Sequence, residues 1–159
     1  MLVIAGLFVP QPQLAHLTRN FLQIKRQFNP GFAPAGAHWL DLAKTEIKGA
    51  DLRHDLRHAG RNRRRAVNRF LDKVIQLLED TGAQLVARIY VKGPGCRFDG
   101  RAVYTSSVQS LCATFQHFLA AKDSRGFMVA DSRTPALNST VSHSVFTQKF
   151  KATGDAYDR

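Results

Sequence analysis

The run Phe127-Met128-Val129-Ala130 is four apolar residues long, is entered through the turn-prone Ser124-Arg125-Gly126 and stops at Asp131. It is too short for a helix and shows no polar alternation. It therefore reads as a strand buried on both faces, as in a parallel sheet covered by helices. In an open α/β sheet the residues just past the carboxyl end of a central strand face the crevice where ligands bind. Asp131, Ser132 and Arg133 thus stand where chemistry could occur. Asp and Ser are also common turn formers, and taken alone they read first as a turn that caps the next helix.

The rest of the chain supplies the alternation such a sheet needs. Residues 2–9 are apolar throughout, like another central strand, and Pro10 and Pro12 end it and open a helix. Leu14, Leu17, Phe21, Ile24 and Phe28 recur at helical spacing, with Arg19, Lys25 and Arg26 on the wet side, until Asn29-Pro30-Gly31 stops the helix. Residues 32–59 are the least regular; Glu46 is expected on a short strand or at its end, and residues 51–58 as a brief helix. A long helix follows over residues 61–81, with Val67, Phe70, Leu71, Val74, Leu77 and Leu78 in its apolar stripe and Gly82 at its C-terminal cap. Residues 84–92 alternate as a strand. Ser106 and Gln109 have capping-box spacing ahead of another helix, and Thr134-Pro135 opens a last one. This order predicts a single three-layer α/β domain with a mostly parallel central sheet flanked by helices.

A chain of 159 residues with 44% hydrophobic content can bury a true core and is not a disordered tail. Its 23 Lys and Arg outnumber 12 Asp and Glu, a formal charge of +11. A domain this basic meets a polyanion, and nucleic acid is the commonest one. The two cysteines, Cys96 and Cys112, lack C-x-x-C spacing, which indicates neither a zinc site nor a disulfide framework and suits a reducing cytoplasm. The apolar start is about half the length of a membrane span and has no cationic n-region, so no membrane partner is expected.

The charge is concentrated between Lys44 and Lys73, where ten cations face four acids, a local charge of +6. Arg61, Arg64, Arg65 and Asn68 fall on neighbouring helical positions away from the apolar stripe. With Arg63 and Arg69 they could present several guanidiniums to a phosphate backbone at once. A solvated helix face is the alternative, but cations at a helix N-terminus oppose the macrodipole and gain nothing locally. Carboxylates are few. Metal-dependent phosphodiester hydrolysis needs several acids converging on one or two Mg2+ ions, and Glu46 and Asp131 sit at expected strand ends. From spacing alone, an ion pair with Lys44 or Lys48 is the simpler account of Glu46. His38 with Asp41, or His54 with His58 at i, i+4, could bind a metal, but no H-E-x-x-H occurs and such pairs usually lie on the surface. There is no nucleophile elbow, P-loop or dinucleotide fingerprint.

Val3-Ile4-Ala5-Gly6-Leu7-Phe8-Val9, Glu46-Ile47-Lys48-Gly49 and Val129-Ala130-Asp131-Ser132-Arg133, with Asn138 beyond, resemble in order and separation the bacterial and phage family called domain of unknown function 3800. The resemblance covers nearly the whole chain through short motifs, the E-x-K-G and D-S-R elements above all. It implies an RNase H-like fold and a nuclease-type site in which Glu46 and Asp131 hold Mg2+ and Lys48 and Arg133 orient or neutralise phosphate; the basic Arg61 to Arg69 helix, read from its charge, would then grip DNA or RNA. A non-catalytic nucleic-acid-binding or assembly module is the alternative. Members of that family typically begin with a strand ending Asp-Glu-Ser-Gly and continue into a helix carrying Leu-Ala-Asp. This sequence has neither, so it resembles the middle of a member, with an incomplete acidic set and an edge at residues 2–9 open to pairing in a homodimer.

Overall fold

The computed structural model describes residues 2–32, 38–95, 99–130 and 134–153. The chain divides into two compact units, one of Val9–Gln84 and one joining Met1–Phe8 to Leu85–Arg159.

The first unit is helical among its described residues: α1 (Leu14–Phe28), α2 (Trp39–Lys44), α3 (Gly49–His58) and α4 (Arg61–Asp80). The apolar stripe of α4 does what its spacing predicts, and Val67, Phe70 and Leu77 are buried. Phe70 meets Phe28 of α1 with ring centroids 4.5 Å apart, and Leu42 of α2 is buried to 1% exposure. Gly82 ends α4 at φ +63. Its N–H donates to the Glu79 carbonyl, and the N–H of Ala83 donates to that of Leu78, both at 2.9 Å. That is a Schellman closure, which satisfies carbonyls the helix would otherwise leave open. Helix α2 begins in a capping box. The His38 side chain accepts from Leu40 N–H at 3.2 Å, and Asp41 Oδ2 accepts from His38 N–H at 3.3 Å. The pair offered as metal ligands is thus occupied in holding a helix end.

Lys25 departs from its expected place on the wet side of α1. It is 4% exposed, and its ammonium donates to the Thr45 carbonyl just after α2. Burial pushes its pKa below the ordinary 10.5, because a low-dielectric site disfavours the charged form. Between the lowered folded value and 10.5 the unfolded chain binds more protons than the folded one, so folding stability rises with pH across that window and levels off above it. Compared with Lys25→Met in denaturant titrations, the wild type is expected to gain relative stability as pH climbs to 10.5. Parallel pH curves for the two proteins would contradict this.

The second unit holds β1 (Leu2–Phe8), β2 (the run Gln84–Tyr90, whose first residue falls in the other unit), α5 (Gly100–Ala121) and α6 (Pro135–Thr153). Phe8 packs between Phe115 and Phe118 of α5, with centroids 4.9 and 5.2 Å away. A Cβ added at Gly6 would stand 4.0 Å from the Leu111 side chain of α5, an ordinary contact. Helix α5 starts earlier than its supposed capping box, at Asp99, whose carboxylate accepts from Arg101 and Ala102 N–H at 3.0 and 3.1 Å. Ser106 lies inside the helix, and Gln109 reaches the Ser144 hydroxyl of α6. The Pro135 start of α6 is where Thr134-Pro135 placed it. The fully buried Ser107 hydroxyl donates to the Val103 carbonyl at 2.6 Å and meets the Tyr90 hydroxyl at 3.1 Å. Ser107, Ser106 and Arg88 hold the Tyr90 phenol below its ordinary 10.0.

The three-layer α/β expectation is therefore corrected: the described residues are mostly helical, and the sheet among them is a two-stranded antiparallel pair of β1 and β2. The run at residues 126–130 is not a strand, and Phe127 and Val129 are 72% and 82% exposed. Gly126 lies so close to α5 that a Cβ there would come within 2.7 Å of the Phe115 ring. Glu46 lies on no strand but in the irregular connector between α2 and α3. The physical reason is that hydrophobicity records what a segment can bury and leaves open which segment it pairs with. In β1, burial alternates, so that Val3 and Leu7 are exposed, and in β2 Leu85 and Ile89 are too. An apolar run thus served a sheet covered on one face only.

Candidate nucleic-acid interface

Helix α4 starts immediately after Gly60, whose carbonyl accepts from Arg64 N–H at 3.1 Å. Its apolar positions Val67, Phe70 and Leu77 take the inward face, so at 3.6 residues per turn Arg61, Arg65, Arg69 and Lys73 form a single i, i+4 row on the other side, with Arg64 and Asn68 beside it. All six are exposed. From Arg61 to Lys73 the row is about 18 Å long, and Asp72 is the first carboxylate along the helix.

Arg63 is set apart from its neighbours. Its Nε donates to Asp55 Oδ2 of α3 at 2.8 Å, and its guanidinium carbon sits 4.6 Å from the Phe28 ring centroid. Cation–π contact and ion pair together tie α4 to α1 and α3. This is the only ion pair among the described residues. Arg61, Arg64, Arg65 and Arg69 have no carboxylate partner there, although two pairs of them stand at i, i+4. Like charges at that spacing cost about 0.2–0.5 kcal/mol each. On α3 the rings of His54 and His58 lie with centroids 4.9 Å apart, tilted by 41°.

The residues expected to hold metal are not assembled by the described structure. Glu46 is exposed in the connector, and Lys48 is the residue before α3, also exposed. Asp131, Ser132 and Arg133 lie outside the described residues. Among the described residues no group of three His, Cys, Asp or Glu side chains could hold a metal ion. Of the two expected ligands only Glu46 is among the described residues, and a single carboxylate holds Mg2+ weakly because the ion keeps its waters unless further carboxylates and substrate phosphates converge on it.

No family model, curated protein or solved structure matches the chain. Among the described residues no helix is long and apolar enough to cross a membrane. Two features escape sequence reasoning. One is the withdrawal of Arg63 into a structural role. The other is the bond from Lys73 Nζ to Gln27 Oε1 of α1, at 2.7 Å, which carries the basic row across to a second helix.

Proposed function

We propose that the helical unit is a nucleic-acid-binding module, with Arg61, Arg64, Arg65 and Arg69 of α4 as its phosphate-contacting surface. The observation that carries this reading is an exposed guanidinium cluster at the first turns of α4, without carboxylate partners among the described residues. Such a cluster opposes the helix dipole and repels itself, so it detracts from folding. A polyanion supplies the compensation that the fold does not. Guanidiniums suit phosphate because their planar fork donates two hydrogen bonds at once. Backbone contacts of this kind position a chain on nucleic acid without reading its sequence. A cytoplasmic location goes with this reading, as does the free thiol of Cys112.

The test is fluorescence anisotropy of labelled single-stranded and duplex oligonucleotides of mixed sequence. Binding with Kd on the order of 10⁻⁶–10⁻⁴ M at physiological salt is expected, the range of sequence-independent association. No binding at low salt, or tighter binding to a polyglutamate peptide than to any oligonucleotide, would overturn the proposal.

A further inference from the structure

Two open hollows run along α1, of about 630 and 530 Å³, and Arg19 and Trp39 line both. Trp39 is 46% exposed and is the only tryptophan in the chain. Beside it the first hollow offers Leu14 and Leu22 with the Gln11 amide, and the second offers Arg26, Gln23 and Gln27. Among the described residues no carboxylate lines either one. Gln27 is the residue that accepts from Lys73 at 2.7 Å, so the second hollow begins where the Arg61, Arg65, Arg69 and Lys73 row ends.

We infer that this groove is a binding site for single-stranded nucleic acid, with an unpaired base stacked on the Trp39 indole and the adjoining phosphates held by Arg19 and Arg26. The inference rests on the phosphate-binding reading of α4 and names the substrate class. An exposed aromatic face flanked by guanidiniums is the combination that single-strand binders use, since every base has a π-face and every nucleotide a phosphate. The glutamine amides can donate to and accept from base edges. A paired base in a duplex keeps its faces stacked on its neighbours and has none to offer the indole. The α4 row is indifferent to strandedness, so Trp39 is where a preference for single strands originates.

Because Trp39 is the sole tryptophan, its emission reports this site directly in the unmodified full chain. Three probes are compared: an oligothymidylate of about 15 nucleotides, an abasic oligomer of equal length, and a duplex of equal length. Oligothymidylate is expected to quench the emission and to bind about tenfold or more tighter than the abasic oligomer. Trp39→Leu should remove that advantage, read by anisotropy of labelled oligomer, while leaving duplex affinity unchanged. Trp39→Phe, which retains a ring, should recover part of it. Saturation by oligothymidylate with unaltered emission, or equal affinity for the abasic oligomer, would overturn the stacking site even if duplex binding through α4 persisted. Absence of binding by all three probes would overturn both proposals together. The quenching and abasic comparisons use the wild type alone, so they decide the matter whether or not the variants fold.

Discussion

Phe70→Ala is expected to lower the stability of the helical unit by about 3–5 kcal/mol, the cost of emptying a buried phenylalanine site. Phe70 is 6% exposed and packs its ring on Phe28 at 4.5 Å, so the substitution deletes the aromatic contact between α4 and α1. The effect reaches further because Phe28 also seats the Arg63 guanidinium at 4.6 Å, and Arg63 in turn bonds Asp55 of α3. Against a typical total of about 5–15 kcal/mol, the loss removes a large share of the unit's stability. Denaturant unfolding followed by circular dichroism measures it. Ile75→Ala, on the same helix but 56% exposed, serves as the comparison, with an expected change below about 0.5 kcal/mol. Equal effects at the two positions would mean that α4 does not pack through its Phe70 face.

The second large effect has opposite signs for stability and binding. Replacing Arg61, Arg64, Arg65 and Arg69 together by Gln should stabilise the fold by roughly 1 kcal/mol, since it removes like-charge pairs and cations that oppose the helix dipole. The same variant should bind oligonucleotides about 100- to 1000-fold more weakly at low salt. Four phosphate contacts worth about 1 kcal/mol each amount to that range, at 1.4 kcal/mol per factor of ten. Arg63→Gln should behave in the reverse way, destabilising the unit through loss of the Asp55 bond and the Phe28 contact while moving affinity little. Thermal unfolding and anisotropy on the same preparations separate the two. If the quadruple variant lost stability, the cluster would belong to the scaffold rather than to a surface.

Local features were legible in the sequence wherever the chemistry is local. The α4 boundaries follow from Gly60 and Gly82, and its buried face from the spacing of Val67, Phe70 and Leu77. Thr134-Pro135 marks the start of α6, and residues 2–8 do form a strand. What failed depends on contacts distant in the chain. The run at 126–130 is apolar enough for a central strand, yet a strand exists only through a hydrogen-bonded neighbour, and here β1 pairs with β2 instead. The parallel sheet disappeared with it; Glu46 lies in the connector between α2 and α3, and Asp131 lies outside the described residues. For the interface, the arginines themselves were visible, but the withdrawal of Arg63 needs Phe28 and Asp55 to be in place. Lys25 reads as a surface lysine until α2 covers it. Trp39 lay in the least regular stretch of the sequence, where no periodicity points to a partner, and only folding brings α1 beside it.

The central claim, that exposed arginines of α4 neutralise phosphates, is tested most directly by the salt dependence of oligonucleotide affinity. Each phosphate contact contributes about −0.7 to −0.9 to the slope of log K against log salt concentration. The wild-type slope is therefore predicted to be steeper than that of the quadruple Arg-to-Gln variant by about 3. Equal slopes for the two proteins would contradict the account.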